Sequence, residues 1–367
     1  MIMKRLSALL LALCMLLCAC GSDAAQTTQT TTLGGTTGSE TSDTTIDEPA
    51  PKPVLFRHPL TGEPLDAAWN GRPTAVVINN LKDALPHHGV SQADILYEIE
   101  TEGGITRCLA VFSDISAVGQ VGPIRSARTF FNNIAVSYDA PIVHCGGSYG
   151  GRNAGYADSS DKISDWAHLD ATYYETQYFF RDMDRYNYQG YNWEHTLFST
   201  GEKLLKGLQA RKVAEPTAKS TDFGLQFSEQ VSLNGAKAES IKVTFLGEKT
   251  TSFTYDAAIG VYKTAQYGQD YIDANTNQIV TFKNVMVLYT SQWKKYDGTY
   301  YRSFYELAGE GDGLLAINGQ IVPIKWQRDS LRDSFEYFYA DGTPITLGVG
   351  TTYIAVASDK SAPIQYS

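Results

Sequence analysis

From Ser22 to about Thr45 the chain is threonine, serine, glycine and glutamine, with almost no large apolar side chain. Ordering a residue costs roughly 1–2 kcal/mol of backbone entropy, and a stretch without apolar surface has nothing to offset that cost. Residues 21–53 are therefore read as a disordered tether, stiffened at its end by Pro51-Lys52-Pro53. Whatever folds does so downstream, in about three hundred of the 367 residues. That exceeds the usual size of one core, so two domains are expected.

The downstream part opens on short apolar runs. Thr74-Ala75-Val76-Val77-Ile78 follows Pro73 and reads as a buried strand. Ile95 to Glu100, entered from Ser91-Gln92-Ala93-Asp94, reads as a second; Gly103-Gly104 breaks it, and Ile105 to Phe112 is a third. Ser126 to Tyr138 follows helical spacing, with Phe130, Ile134 and Tyr138 near one face, and Pro141 to Cys145 returns as a strand. This is α/β order. Ser199-Thr200-Gly201-Glu202 carries a capping box ahead of Leu204, Leu205 and Leu208, which predicts a helix closing a first domain over 54–215.

The polar, proline-marked stretch from Ala214 to Asp222 is the expected boundary. Beyond it the strand candidates are Ile241 to Phe245, Phe253 to Tyr255, Val261 to Thr264, Ile279 to Tyr289, Leu314 to Ile317, Ile321 to Trp326 and Tyr353 to Val356. Asn318-Gly319 and Asp341-Gly342 supply hairpin turns. The expected fold class is α+β or α/β: an N-terminal α/β domain followed by a smaller β-rich domain over 223–360.

At the other end, Lys4 and Arg5 precede an apolar run from Leu6 to Leu17, the charged head and apolar middle of a signal peptide over 1–20. A spanning helix needs roughly 20 apolar residues, and Cys18-Ala19-Cys20-Gly21 ends this run earlier. Leu17-Cys18-Ala19-Cys20 resembles the lipobox of bacterial lipoproteins, in which Cys20 would take a diacylglyceryl group; Cys18 is an imperfect occupant of its slot. Two acyl chains anchor stably where one of about 14 carbons holds only marginally. The expected location is the outer side of the cell membrane, with an ordinary secretory signal as the competing reading.

The net charge of −10 argues against nucleic acid as a partner, since phosphates would demand a basic face. Cys108 and Cys145 are the cysteines of the folded part. An exported setting permits them to pair, and buried free thiols suit their apolar contexts equally. No metal-type Cys-x-x-Cys spacing is present, and neither metal nor cofactor is expected.

Within 54–215 several arginines sit at junctions. Arg107 follows the double glycine, Arg125 and Arg128 lie in Gly122-Pro123-Ile124-Arg125-Ser126-Ala127-Arg128, and Arg181 and Arg185 in Arg181-Asp182-Met183-Asp184-Arg185. Arg125 and Arg128 are placed at or just inside a helix start, where guanidinium groups and free N–H groups would make an anion site. The competing reading is structural, with each arginine pinned to Glu98, Glu102, Asp182 or Asp184. Glu98, Glu100 and Glu102 alternate, so on a strand they share one face while Tyr97 and Ile99 point to the other. Such a stripe is a solvated face, a set of arginine partners, or a cation site if enough oxygens converge.

Gly146-Gly147-Ser148-Tyr149-Gly150 fits a nucleophile elbow after a predicted strand. Only His168 and His195 follow it, however, and glycine-rich strand exits also serve as tight turns. Arg152-Asn153 stand where a Walker loop has its lysine and hydroxyl residue. His144, on an apolar strand, and His195 read as hydrogen-bonded core residues, and His87-His88 as a loop pair able to bind a metal weakly.

Four of these segments are familiar together. Glu98 with Glu102-Gly103-Gly104-Ile105-Thr106-Arg107, Val121 to Arg128, His144-Cys145-Gly146-Gly147-Ser148 and Phe180 to Arg185 resemble, in that order, the YerB-like lipoprotein family. Tyr262 to Asp273, Asn284-Val285-Met286-Val287 and Gly311-Asp312-Gly313 through Trp326 extend the resemblance into the second half. It implies a lipid-anchored protein with an α/β N-terminal domain, a smaller β domain and no assigned biochemical activity. Leu85-Pro86-His87-His88-Gly89 and Glu194-His195-Thr196 depart from the family's pattern, and Gly150 is not part of it.

The expected function is binding at the cell envelope. Arg107, Arg125 and Arg128, with the Gly146-Gly147-Ser148 turn and with Glu98, Glu102, His144, Arg181 and Arg185 around it, would contact an anionic wall polymer or another phosphate- or carboxylate-bearing ligand. One alternative is an envelope enzyme, either a phosphotransferase using the same arginines or a hydrolase using Ser148. Another is a scaffold that docks a protein through a strand edge or through Trp293, Tyr296, Tyr300 and Tyr301, although those aromatics read first as hairpin core. The anion reading requires the arginines to gather, partly unneutralised, around one hollow.

Overall fold

The structure is a computed structural model that describes residues 56–148, 166–219, 222–245, 247, 249–296, 300–358 and 364–367. The signal peptide, Cys20, the tether and the Tyr149-Gly150-Gly151-Arg152-Asn153 stretch lie outside the described residues. Among the described residues no helix is long and apolar enough to cross a membrane.

The first half contributes strands β1 (Thr74–Asn79), β2 (Ile95–Glu100) and β3 (Thr106–Phe112), each buried along its whole length. Helix α1 (Thr129–Ser137) leads to β4 (Ile142–His144). Then come β5 (His168–Asp170), α2 (Ala171–Tyr178), α3 (Met183–Tyr188) and α4 (Gly201–Ala210). Thr200, one residue past the expected serine, caps α4 by accepting from Lys203 N at 3.3 Å, and the apolar face of α4 buries Leu204 and Leu208.

The second half supplies β6 (Ser240–Thr244), β7 (Thr250–Asp256), β8 (Val261–Gln266) and β9 (Asn284–Thr290). A hairpin, β10 (Gln292–Tyr296) and β11 (Tyr301–Tyr305), precedes β12 (Gly309–Ile317), β13 (Gln320–Arg328), β14 (Glu336–Tyr339) and β15 (Thr352–Ser358). Asn318 and Gly319, both at positive φ, make the tight turn between β12 and β13.

These strands form one eleven-stranded sheet in the order Ala236–Lys237, β13, β12, β9, β15, β2, β3, β1, β4, β5, with β14 paired to β13. Strands β9, β15 and β2 run parallel to one another, as do β1, β4 and β5. Strand β3 is antiparallel to both its neighbours, so all six of the others point the same way.

Strands β9 and β15 are near-continuous apolar runs, buried along nearly all their length. That pattern belongs to the centre of a sheet covered on both faces. One face, with Leu96, Cys108 and Tyr353, packs on a six-stranded sheet around β6, β7 and β8 and on α4. The opposite face, with Tyr97, Ile99 and Leu109, packs on Phe130, Phe131 and Ile134 of α1. The expected second-half strands thus appear both in a sheet of their own and inside the sheet of the first half. Cys108 and Cys145 are both free, Cys108 buried.

Candidate anion site

Parallel strands end together, and here their C-terminal ends meet at one edge of the sheet. Asn79, Glu100, His144 and Asp170 finish β1, β2, β4 and β5, and Thr106-Arg107 opens β3 at the same edge. Crevices outside the carboxyl ends of such strands are the usual ligand sites of open α/β sheets. Strands β1 and β4 pair only through Ala75–Ile142 and Val76–Val143. Beyond that the segment from Ile124 to Ala127 lies between their extensions: Arg125 N donates to Val77 O at 2.9 Å, Cys145 N to Arg125 O at 3.0 Å and Ala127 N to Gly146 O at 3.0 Å.

This insertion corrects the placement of Arg125, expected at a helix start. Arg125 lies on extended chain, and the helix begins at Thr129, with Arg128 at its N-cap position. The insertion also explains the glycine-rich exit of β4. Gly146 takes φ +67°, its N–H donates to Asp170 Oδ1 at 2.8 Å, and Ser148 N donates to Ala127 O at 3.4 Å.

The arginines converge less completely than expected. Arg128, almost wholly buried, donates through Nε to both Glu102 oxygens at 2.9 Å and through Nη2 to Oε2 at 2.6 Å. Burial would raise the Glu102 carboxyl, but the hydrogen bonds and charge of Arg128 outweigh it and hold the group below its ordinary range. Arg125 pairs with the exposed Glu194. Arg181 pairs with Glu175 at 2.7 Å, and its guanidinium lies 4.5 Å over Trp193. Arg185 is buried, 3.7 Å from Asp182, and donates to the carbonyls of Ala84 and Pro86 at 3.3 and 2.6 Å, pinning that loop. Four of the five are therefore neutralised, which corrects the expectation of an open set.

Arg107 is the exception. It is 5% exposed, its Nη1 donates to Ser126 O at 2.6 Å, and its buried Nε has no partner. Among the described residues it has no carboxylate within salt-bridge distance. Burial, then the charges of Arg128 and Arg125, pull it down to about 9; Glu102 opposes them and Arg302 adds to them.

Glu98 is removed from the ligand set. It is fully buried and accepts from Lys249, from Thr106 Oγ1 and Thr251 Oγ1 at 2.7 Å, from Asn80 Nδ2 at 3.0 Å and from Tyr353 OH at 2.9 Å. Within β2 Tyr97 and Ile99 face α1 while Glu98 faces the second sheet, but Glu102, expected on the face of Glu98, lies past the end of the strand and bonds to Arg128 beside α1. Lys249, Thr251 and Tyr353 come from the second half and Asn80 and Thr106 from the first, so the carboxylate joins the two halves.

His144 Nδ1 bonds to Gly146 O at 2.8 Å. A carbonyl can only accept, so Nδ1 carries the proton and the buried Nε2 is a bare acceptor without a partner. Burial lowers its pKa. His195 is also buried, with Nδ1 2.9 Å from Asn79 Nδ2. His87, expected in an exposed loop pair, is buried against Tyr271 OH at 2.6 Å and lowered to about 3 by burial. Among the described residues no group of three or more His, Cys, Asp or Glu side chains could hold a metal.

Sequence reasoning missed Lys249, Tyr353 and the Arg125–Glu194 pair. The β10–β11 hairpin is anchored at the same edge: Tyr305 OH donates to Glu100 O at 3.1 Å and Ser303 N to Glu102 Oε1 at 3.3 Å. Its aromatics are not core as expected, for Trp293 is 38%, Tyr296 55%, Tyr300 61% and Tyr301 63% exposed.

The comparisons with known proteins fit this architecture. Residues 60–214 match the model of the N-terminal domain, and residues 241–354 that of the C-terminal domain, of a protein family of unknown function, DUF3048. The chain is similar to the Bacillus subtilis (strain 168) protein named "Putative lipoprotein YerB", at 26% identity over 313 residues, covering 84% of this chain and 88% of that one. The crystal structure of YerB from Bacillus subtilis matches with a TM-score of 0.69 at 25% identity, over 84% of this chain and 99% of the other. With both halves matched in order, this chain belongs to the two-domain DUF3048 family, the family of YerB that its four segments resemble.

Proposed function

We propose that this chain is a lipid-anchored protein of the cell envelope, held outside the cytoplasmic membrane through Cys20, that binds an anionic ligand at the C-terminal edge of its main sheet. The observation that carries the reading is Arg107, a buried guanidinium bonded to one neutral carbonyl and flanked by two further arginines. A buried charge without a counter-charge costs several kcal/mol, which a phosphate or carboxylate at the site would offset. Arg125 would share the ligand, because Glu194 is exposed and an exposed pair contributes little that its release would forfeit. The backbone turn at Gly146 to Ser148 bonds to Ala127, the residue after the Ser126 carbonyl that holds Arg107. The lipid anchor is supported by the Cys20 motif and by the name of the Bacillus relative.

Calorimetric titration with inorganic phosphate tests the ligand. Binding is expected to weaken as salt rises and to fall by at least about tenfold in Arg107→Gln. Absent binding by the folded wild type, or full binding by Arg107→Gln, would overturn the site. For the anchor, Cys20→Ser is expected to move the protein from the membrane fraction to the soluble one.

A further inference from the structure

We infer that the β10–β11 hairpin is an extended contact arm for the same ligand, and that the ligand is a glycan chain bearing phosphate or carboxylate groups. This rests on the anion reading of Arg107 and adds the substrate class.

The hairpin's side chains differ from those of the rest of the molecule. The chain carries a net charge of −10, yet β10 and β11 hold Lys294, Lys295 and Arg302, with Asp297 the one acidic residue in the sequence that joins them. One face stacks Trp293 on Phe304, with centroids 5.9 Å apart and planes 13° from parallel; Lys295 lies 5.4 Å over Phe304. Arg302 lies 5.1 Å over Tyr300. Nearer the tip, Tyr296 and Tyr301 meet at 5.3 Å and expose more than half their surface. Despite these cross-strand contacts the four large aromatics each keep more than a third of their surface in water. Flat rings with hydroxyl tips suit the C–H faces and hydroxyls of sugars, and the interleaved cations suit charged substituents.

The arm is continuous with the anion site. Ser303 N donates to Glu102, the carboxylate that also holds Arg128, so hairpin and arginines share a side chain. Arg107 itself is recessed, at 5% exposure. A substituent or end of a flexible chain reaches such a point, whereas the headgroup plane of a bilayer does not. That geometry favours the glycan over an anionic membrane surface.

The test measures binding of four probes: phosphorylated dextran, unmodified dextran, inorganic phosphate and phosphatidylglycerol vesicles. The variants are Trp293→Ala/Tyr301→Ala, Lys295→Gln/Arg302→Gln and Arg107→Gln, each checked for an unchanged melting profile. Each hairpin variant should weaken phosphorylated dextran by on the order of tenfold and leave inorganic phosphate unchanged, while Arg107→Gln should weaken both. If hairpin variants bind phosphorylated dextran as wild type does while Arg107→Gln loses phosphate, the arm is wrong and the anion site stands. If phosphate never binds but phosphorylated dextran is held through the hairpin, the arm stands and the Arg107 reading falls. Hairpin-dependent capture of vesicles without capture of phosphorylated dextran overturns the glycan assignment in favour of a membrane.

Discussion

Arg107 and Arg128 lie in one cluster, yet removing their charges should have unequal consequences. Arg128→Met strands Glu102 with its charge largely desolvated and is expected to cost about 2–3 kcal/mol, discounted for the partial exposure of that carboxylate. Arg107→Met removes a cation that has no carboxylate partner and should leave stability unlowered or raise it by up to about 4 kcal/mol. Urea denaturation of the two variants checks the contrast; equal losses would mean that Arg107 is a structural residue. Glu98→Gln should cost about 3–5 kcal/mol by unpairing Lys249, and adding Lys249→Met should recover part of it. His87 adds a pH dependence. Its pKa falls from 6.5 to about 3 on burial, so between these values the unfolded chain takes up a proton that the folded chain refuses. Its contribution is fully present above pH 6.5 and is lost as pH falls, by up to about 1.4 kcal/mol per unit, and His144 and His195 shift the same way. Denaturation curves from pH 7 to pH 4 should show this slope, flattened in His87→Gln. The sequence makes the Glu102–Arg128 pair legible because both residues stand in short recognisable segments. It does not make Lys249 legible, because that lysine reaches Glu98 across 151 residues and nothing local marks it.

The strands are readable as elements and their insertions are not. Apolar runs place β1, β2 and β3 within a residue or so, because burial on both faces leaves little else for Val76, Leu96 or Leu109 to do. The chain from Ile124 to Ala127 has no such run, and its extended form comes from backbone bonds to Val77, Cys145 and Gly146 that local pattern cannot announce. The double glycine is likewise explained only in three dimensions. Gly104 takes φ +72°, and a Cβ there would sit 2.7 Å from Gly247 Cα, so the turn feeding Arg107 touches a loop of the second half. Gly104→Ala is expected to cost about 1–3 kcal/mol in thermal or chemical denaturation and to weaken phosphate binding with it. Unchanged stability would show that the contact yields easily.

Across the whole molecule, the sequence pattern reads as two domains over 54–215 and 223–360, and the family models match residues 60–214 and 241–354. What pattern cannot supply is strand order: β15 pairs with β9 on one side and with β2 on the other, from Thr352–Ile95 to Val356–Ile99. A fragment of 54–215 would keep β2 as a bare edge and uncover Leu96 and Cys108. It is expected to bind a hydrophobic dye and to lack a cooperative melt, and mixing with 223–360 should restore one; a sharply melting monomeric fragment would contradict this. The buried carboxylate of Glu98 has a timetable as well as a place. Its bond to Tyr353 closes a loop of 255 residues, so a chain made from its N-terminus carries an incomplete acidic seam through nearly all of its synthesis. A product that stops short of Tyr353 leaves that carboxylate one bond short, however much of the arginine edge it contains.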